Sequence, residues 1–341
     1  MAKGSVAGLE RYRIAAVVPA YRVEREIAAV LASMPPYVSQ IIVVDDASPD
    51  QTARVLELAA PGDSRIEVVT HDRNRGVGGA VISGIQRALD RGAQIIIKVD
   101  GDGQAPIEAL PDLLAPLLAG RADMAKANRF RDFEALRQMP LIRRIGNAML
   151  SFLVKAATGY WSVFDPTNGF LAVRADLLRQ LRLERLARSY FFEISLLSQL
   201  YLSGAVIRDV PIPARYGKER SNLSILRVLI EFPPRLLAMF VRRIFLKYAV
   251  YDFSMGSVFF LAGLPLLAFG LIFGSARWAH YSQLGISAPT GTVMLATMSV
   301  LLGVQFLLSA IGVDLQNVPR EPISPPLEPA VEQAASDVPG G

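Results

Sequence analysis

Short apolar runs, each followed by polar residues and then a helix-like stretch, recur through the first hundred residues. Three of them share this arrangement and are predicted strands: Ile14 to Val18, Ile41 to Val44 and Ile95 to Val99. Ile66 to Val69 is a fourth strand candidate. Strands that alternate with helices are typical of α/β domains, so the pattern predicts a mostly parallel sheet.

The pattern is less regular from Asn128 to Phe170, where loops are expected around one helix at roughly 143–157. Ser189 to Leu202 reads as a further helix, and Val206 to Val210 as a strand. The α/β domain is therefore expected to span residues 13–213, after a short N-terminal tail at 1–12.

Two long stretches near the C-terminal end carry no charge at all. Residues 254–274 and 291–313 are each long enough to cross a bilayer core, which needs ~20 apolar residues. The alternative is a pair of buried helices in a soluble protein. Two transmembrane helices are the preferred interpretation because of the length and the absence of charge.

The segment at 214–252, which precedes the first span, mixes large apolar residues with basic ones and is interrupted by Pro233 and Pro234. This composition predicts amphipathic helices in the membrane interface, and a plain surface helix pair is the alternative. Residues 319–341, rich in Pro, Glu and Ser, are expected to be a disordered tail.

Basic residues are unevenly distributed around the two spans. One, Arg277, lies between the spans, whereas four precede the first span and one follows the second: Arg235, Arg242, Arg243, Lys247 and Arg320. Positive charge is retained on the cytoplasmic side, so the N-terminal domain and both termini are expected there. The protein is then an integral protein of the cell inner membrane or its equivalent.

Composition removes several classes of chemistry. The 341 residues include no cysteine and two histidines, which excludes thiolate catalysis and disulfides and makes a zinc cluster implausible. The net charge of +5 is concentrated near the spans, which favours anionic lipid or a phosphorylated acceptor over nucleic acid.

The strand candidate Ile95 to Val99 ends in a set of oxygen-bearing side chains. Asp100, Asp102 and Gln104 alternate along the chain, so in an extended segment they share a face and can converge on one hard cation, Mg²⁺ or Mn²⁺. Ligands of open α/β sheets bind beyond the carboxyl ends of strands. The alternative is a solvated Asp-Gly turn.

Polar groups also follow the first two strands. Tyr21 could pack on a base, and Asp45 or Asp46 could bind ribose hydroxyls, which together would suit a nucleotide. The glycine-rich run that begins at Asn74 and includes Gly76 could cradle phosphate on backbone amides, or could let a helix start close to the sheet.

The ordered motifs resemble one family. The succession VVPAYRVEREI, IIVVDDASPDQT, NRGVGGAVISGI and KVDGDGQAPIEALPDLL, followed by ANRF, MPLIRRIGN, DPTNGF and VPIPARYGKERSNL, resembles family 2 glycosyltransferases of GT-A fold. Within them it is most similar to the dolichol-phosphate mannose synthase and polyprenyl-phosphate glycosyltransferase branch. The resemblance covers roughly residues 13 to 315.

The resemblance implies roles for individual residues. The donor nucleotide would be bound by Pro19, Tyr21, Glu24, Asp45, Asp46, Gly76 and Asp100. The metal and the donor diphosphate would be held by Asp100, Asp102 and Gln104. The acceptor phosphate would be met by Arg129, Arg143, Arg215, Lys218, Arg220 and Ser221. Those expected to act on the reacting groups are Asp102, Arg129 and Arg215.

Two positions depart from the family pattern. Asn168 stands where Ser is frequent, and Asn222 stands where a Lys is frequent, so Lys218 or Arg220 is expected to replace that lysine. The chain has no Gln-x-x-Arg-Trp motif of processive relatives, which argues for transfer of a single sugar.

The predicted function is inverting transfer of one hexose from a UDP- or GDP-sugar to undecaprenyl or dolichyl phosphate, for a cell envelope glycan. Two other classes stay open: a sugar nucleotidyltransferase, and a catalytically silent membrane adaptor that binds nucleotide or lipid. The identity of the sugar, the length of the lipid and homo-oligomer formation are not determined by the sequence.

Overall fold

The computed structural model describes residues 8–129, 141–212 and 225–330. The chain divides into two compact units. The first contains Met1–Leu236 together with Pro319–Gly341, and the second is Leu237–Val318. The chain therefore leaves the first unit, completes the second, and returns to the first.

The first unit is built on a seven-stranded sheet. In chain order its strands are β1 (Ile14–Ala20), β2 (Gln40–Asp45), β3 (Ile66–Thr70), β4 (Ile95–Lys98), β5 (Met124–Asn128), β6 (Leu171–Arg174) and β7 (Ile207–Pro211). Their spatial order is β3-β2-β1-β4-β6-β5-β7, and within this sheet only β6 runs against its neighbours. The mostly parallel α/β fold is confirmed.

Helices connect the strands. They are α1 (Ile27–Ala32), α2 (Thr52–Ala59), α3 (Val77–Asp90), α4 (Leu110–Leu118), α5 (Leu141–Thr158), α6 (Ala175–Gln180), α7 (Phe192–Ser203) and α8 (Ile225–Phe245). Short 3₁₀ turns occupy Leu9–Arg11, Ala60–Gly62, Ile107–Ala109 and Leu183–Arg185. All seven residues of β1 and all four of β4 are buried, so both faces of the central strands are covered.

The structure differs from the sequence interpretation in two strands. β5 and β6 were not expected, because each is short and β6 directly follows the turn-rich segment at 165–170. β6 lies between β4 and β5 and pairs antiparallel with both. The formation of such a strand depends on the strands beside it in the sheet. The local sequence pattern does not contain that information.

The helix α8 also differs from expectation. Pro233 and Pro234 were expected to break the segment, yet both lie inside one continuous helix. Proline removes a helix hydrogen bond, so other contacts must offset the cost. The buried Phe232, whose ring packs edge-on against Phe191 at 5.3 Å between centroids, is one such contact.

Described residues from the predicted N-terminal and C-terminal tails contact the core of the first unit. Leu9, in the predicted N-terminal tail, is buried in the core. Residues 319–330 are not disordered: the backbone amides of Ile323 and Ser324 donate to the buried carboxylate of Asp123 at 3.2 and 2.9 Å. Leu327 also packs against the core. Disorder was predicted from the Pro-rich composition. Composition alone does not reveal that a buried carboxylate, Asp123, accepts hydrogen bonds from the backbone of this segment.

The second unit is a helical hairpin. A π-helical turn (Leu246–Tyr251) leads into α9 (Met255–Gln283), which is followed by α10 (Thr290–Gln316). By length and composition, both α9 and α10 are candidate membrane spans. They begin within one residue of the predicted spans and extend further at their C-terminal ends.

Small residues let α9 and α10 approach closely. Gly256, Gly263 and Gly270 are buried at every seventh position of α9. A Cβ at Gly263 would lie 3.1 Å from the carbonyl oxygen of Gly303, and one at Gly303 would lie 2.6 Å from the backbone nitrogen of Leu267. Close backbone approach through small residues is typical of helix packing in membranes.

Candidate functional site

The carboxyl ends of β1 and β2 lie side by side, because Ala20 pairs with Asp45 in the parallel register. Both loops that follow contain a strained residue. Arg22 and Ala47 have φ values of 56° and 55°, and among the described residues they are the non-glycine residues with positive φ. Strain of this kind persists where the surrounding structure fixes it, and it concentrates at functional sites.

The predicted nucleotide residues occupy this edge. Tyr21 is 41% exposed, and the Arg22 guanidinium lies 5.3 Å from the centre of its ring. The Glu24 carboxylate accepts a hydrogen bond from the Gln51 backbone at 2.9 Å, and Asp45 accepts one from Ser48 at 3.1 Å. Tyr21 is therefore partly exposed with a cation over its ring, while both acids help to hold the loop after β2.

Pro19 lies in β1 beside the loop that follows β4. A Cβ at Gly101 would lie 3.0 Å from the carbonyl oxygen of Pro19, so the absence of a side chain at 101 lets the two segments pass closely. This contact brings the predicted nucleotide edge next to the predicted metal residues.

The Asp46 side chain is not in the open environment expected of a residue that is available to bind a nucleotide. Its carboxylate is buried and accepts hydrogen bonds from the backbone amides of Arg75 and Gly76 at 2.7 and 2.8 Å. His71 Nδ1 lies 2.6 Å from the same carboxylate, and His71 Nε2 lies 2.9 Å from the Ser83 hydroxyl. Asp46 therefore holds the start of the glycine-rich segment, and its direct contact with a nucleotide stays a prediction.

The glycine-rich segment also packs against a distant part of the chain. A Cβ at Gly76 would lie 2.5 Å from the carbonyl oxygen of Arg188, and Gly76 has a φ of 82°. A Cβ at Gly78 would be 2.2 Å from the carbonyl oxygen of Ala187. These glycines permit close approach of the backbone at residues 187 and 188, whereas the sequence had suggested either close approach to the sheet or a phosphate cradle, and the phosphate role stays a prediction.

The predicted metal residues follow β4. Asp102 accepts a hydrogen bond from the Gln104 backbone at 3.1 Å, and burial together with the neighbouring charge of Asp100 raises the pKa of Asp102. Each of these two carboxylates disfavours the ionisation of the other, and a bound divalent cation would offset the repulsion between their negative charges. The residues present therefore fit a hard metal ion.

The protein would supply only part of a coordination sphere. Among the described residues no group of three His, Cys, Asp or Glu side chains is placed to hold a metal. Asp100, Asp102 and the amide oxygen of Gln104 would be the protein ligands. Mg²⁺ and Mn²⁺ accept such oxygen ligands, with phosphate oxygens and water completing the shell.

Sequence reasoning missed the ion pairs behind the metal residues. The buried Lys98 donates to Asp100 Oδ1 at 2.6 Å and lies 3.1 Å from the Glu193 carboxylate. A second buried lysine, Lys126, donates to the carbonyl oxygen of Asn168. A lysine inside an apolar strand, as in the runs at 95–99 and 124–128, is the signal that could have pointed to both.

The predicted acceptor residue Arg129 follows β5. Its Nε donates to the Asp165 carboxylate at 2.8 Å, and its side chain remains 38% exposed. Asp165 is fully buried, which fixes the guanidinium at the edge of the sheet. Asn168 donates to the carbonyl oxygen of Ala127 at 2.9 Å, so the segment at 165–170 is anchored to β5.

The remaining predicted acceptor residues are not described in the same detail. Arg143 lies in α5, but its side chain is outside the described residues. Outside them as well are Arg215, Lys218, Arg220 and Ser221. Their roles stay predictions.

The family is decided by comparison with known sequences. The model of glycosyl transferase family 2 matches residues 15–182. A protein of Methanocaldococcus jannaschii without an assigned function is 31% identical over 61% of this chain and 84% of its own length. The chain belongs to glycosyltransferase family 2.

Other relatives of this glycosyltransferase carry names that indicate its branch. The UDP-N-acetylglucosamine–dolichyl-phosphate N-acetylglucosaminyltransferase of Methanococcus voltae is 28% identical over 51% of this chain and 74% of its own. The undecaprenyl-phosphate mannosyltransferase of Micrococcus luteus is 29% identical over 59% of this chain and 82% of its own. The glycosyltransferase is thus of the dolichol-phosphate mannose synthase and polyprenyl-phosphate type.

A solved structure supports the fold. Glucosyl-3-phosphoglycerate synthase of Mycobacterium tuberculosis, crystallised with Mn²⁺, uridine diphosphate and phosphoglyceric acid, superimposes with a TM-score of 0.52 at 23% identity. The match covers 70% of this chain and 82% of that one. The GT-A fold is confirmed.

Proposed function

We propose that this enzyme transfers one hexose from a UDP- or GDP-sugar to a polyprenyl phosphate, with inversion at the anomeric carbon. One observation carries the proposal: a single family 2 chain combines two features. It has carboxylates at the end of a strand that suit a metal ion bound to a diphosphate, and it has two helices long enough to span a membrane. The relatives named for dolichyl and undecaprenyl phosphate support a lipid phosphate acceptor.

In this reaction the lipid phosphate acts as the nucleophile, and the nucleoside diphosphate of the donor is the leaving group. A phosphate monoester is already ionised at neutral pH, so it can attack the anomeric carbon without a strong general base. A bond forms from the acceptor phosphate oxygen to the anomeric carbon, while the bond to the nucleoside diphosphate breaks. In-line attack gives the inverted configuration.

The protein groups would act mainly by position and charge. Tyr21 would cover the base, and Asp100 and Asp102 would hold the cation with the diphosphate. A bound divalent cation would neutralise charge on the leaving diphosphate. Arg129, fixed by Asp165, would orient the acceptor phosphate through charge-assisted hydrogen bonds.

Chain connectivity supports a common compartment for the catalytic domain and the end of α10. Residues 323 and 324 donate to Asp123, and Gln94 donates to the carbonyl oxygen of Glu328 at 2.8 Å. If α9 and α10 both cross the bilayer, the chain returns to the side it left. The excess of basic residues before α9 supports the cytoplasm as that side.

The test is a transfer assay with purified full-length enzyme in nanodiscs. A panel of UDP- and GDP-sugars is offered with undecaprenyl or dolichyl phosphate, with and without Mn²⁺. We expect a lipid-phosphate sugar as product and free nucleoside diphosphate in equal amount. Asp102→Asn should lower kcat/KM at least about a hundredfold, since metal stabilisation contributes several kcal/mol.

Asp72→Asn is the matched control, because Asp72 is an exposed aspartate that pairs with Arg75 on the surface. Its activity should equal that of the wild type. Release of pyrophosphate from a nucleoside triphosphate would identify a nucleotidyltransferase instead. Binding of nucleotide without any turnover would identify an adaptor.

A further inference from the structure

Lys98 is the last residue of β4, and its side chain does not reach solvent. It lies directly before the loop that carries Asp100 and Asp102, and its ammonium group contacts two carboxylates. Asp100 Oδ1 is 2.6 Å away and Glu193 Oε1 is 3.1 Å away. Glu193, in the first turn of α7, is also buried. One buried cation thus joins the metal loop to a helix that follows it by almost a hundred residues.

Gly169 closes this cluster from the opposite side. A Cβ at this position would lie 2.4 Å from Asp100 Oδ2 and 2.4 Å from Lys98 Nζ. The backbone of residue 169 therefore packs directly on the ion pair, which leaves the Asp100 carboxylate little freedom to turn.

One cation faces two carboxylates in this cluster. The Lys98 ammonium group contacts both Asp100 and Glu193, so removal of Lys98 would leave the buried Glu193 carboxylate without this ion pair. Asp102 has no such partner, since its described hydrogen bond comes from the Gln104 backbone.

We propose that Lys98 is a positioning residue that holds the Asp100 carboxylate in the orientation needed to bind the divalent cation and the donor diphosphate. The proposal rests on the proposed function in taking Asp100 as a metal ligand. Loss of a partner that orients a metal ligand typically lowers metal affinity about ten- to a hundredfold.

A simple charge effect predicts the opposite result. Removing a positive charge beside a metal site should, by Coulomb's law alone, strengthen binding of a divalent cation. Loss of an orienting partner should weaken it. The direction of the change in affinity therefore separates a positioning role from a passive charge.

The experiment measures Mn²⁺ affinity of the full-length enzyme by electron paramagnetic resonance of free Mn²⁺, with UDP or GDP present. We expect Lys98→Met to weaken Mn²⁺ binding about ten- to a hundredfold. Arg174→Met is the matched control, because Arg174 is also a buried cation paired with a carboxylate, that of Asp176 at 2.9 Å, but it lies beside Ile95 at the start of β4, away from the loop that follows that strand. Its Mn²⁺ affinity should match that of the wild type.

If Lys98→Met does not fold, the double variant Lys98→Met/Glu193→Leu removes the orphaned anion and keeps the test. Apolar replacement of both partners of a buried pair is usually tolerated. The double variant should show the same loss of Mn²⁺ affinity at a Tm near that of the wild type. Unchanged or tighter Mn²⁺ binding in a folded variant overturns the proposal.

The two proposals fail separately. If the wild type transfers no sugar to any lipid phosphate but Mn²⁺ binding follows the expected pattern, the acceptor assignment fails and the role of Lys98 stands. If the wild type transfers sugar and Lys98→Met binds Mn²⁺ as well as the wild type, only the role of Lys98 fails.

Discussion

The two units of this glycosyltransferase distribute polar and apolar residues in opposite ways. In the catalytic unit the strands are apolar and buried, and charged groups gather where strands end. In the hairpin unit large apolar side chains are exposed, whereas the buried positions of α9 and α10 hold small or polar residues: Gly256, Ser257, Gly263, Gly270, Ser299, Gly303, Ala310 and Asp314. The exposed apolar surface of the hairpin unit is compatible with helices that are candidate membrane spans.

Two buried basic residues, Lys126 in the catalytic unit and Arg243 in the hairpin unit, lie in different electrostatic environments. Lys126 in the catalytic unit has its pKa lowered to about 8 by burial, which outweighs the nearby charges of Glu193 and Asp165. Arg243 in the hairpin unit donates two hydrogen bonds to Asp314, at 2.7 and 2.9 Å. A lysine can lose its proton when buried, whereas an arginine stays charged and needs a carboxylate.

The largest effect is expected from the buried ion pair. Asp314→Ala leaves Arg243 buried without its carboxylate and removes the acceptor of the Tyr248 hydroxyl, which lies 2.9 Å from Asp314. Breaking such a pair costs about 3–5 kcal/mol. Thermal unfolding in nanodiscs should show the loss.

The matched surface variant is Asp72→Ala, whose pair with Arg75 is exposed and should contribute less than about 1 kcal/mol. The double variant Arg243→Met/Asp314→Leu should recover most of the stability. Equal effects of Asp314→Ala and Asp72→Ala would contradict the contrast between the units.

The second prediction compares two exposed leucines. Leu58 on α2 is 76% exposed and Leu264 on α9 is 57% exposed. Leu264→Asp should cost about 3 kcal/mol of membrane insertion, because an acidic group at the centre of a span is expensive. Leu58→Asp, which faces water, should change stability by no more than about 0.5 kcal/mol.

Insertion of α9 can be measured by the fraction of chains integrated into membranes, and stability by thermal unfolding. If both variants integrate like the wild type, α9 does not span the bilayer. The exposed apolar surface of the hairpin unit would then need another explanation.

The third prediction concerns pH and Lys126. Its pKa is lowered from 10.5 to about 8, so between these values the unfolded chain binds more protons than the folded one. Stability of the wild type relative to Lys126→Met should therefore rise with pH from about 8 to 10, by about 2–3 kcal/mol. Chemical denaturation at several pH values measures this difference, and a flat difference would show that Lys126 is not neutralised by burial.

The smallest expected effect comes from the glycines of the hairpin. A Cβ at Gly270 would lie 2.8 Å from the backbone nitrogen of Val300, so Gly270→Leu should cost about 1–3 kcal/mol of hairpin stability. Gly312→Leu is the control, since a Cβ there meets open space. Similar unfolding temperatures for the two variants would mean that α9 and α10 do not pack through their glycines.

The sequence predicted what is decided locally. β1, β2, β3 and β4 lie where the apolar runs indicated, and apart from Ser254 the spans 254–274 and 291–313 fall within α9 and α10. Alternation along one segment was enough to propose Asp100, Asp102 and Gln104 as metal ligands, and that role stays a prediction. The two predicted spans contain no charged residue, a composition that is typical of membrane spans and is not required of a helix in a soluble protein.

What the sequence did not predict depends on contacts between distant residues. β6 pairs with strands on both sides of it, Lys98 meets Glu193 across almost a hundred residues, and His71 meets both Asp46 and Ser83. Each such group looks unremarkable alone. Its role arises from a partner that only the folded sheet selects.

The contact between Asp123 and the segment after α10 has a consequence for biosynthesis. Asp123 is completely buried and accepts three backbone amides, from Val206, Ile323 and Ser324. A chain made from its N-terminus presents two of those three donors only after the hairpin has been synthesised. Until then, Val206 supplies the one donor of the three that precedes the hairpin. We therefore expect a chain that ends before Ile323 to leave Asp123 without two of its three backbone donors, and to unfold at a lower temperature than the full chain.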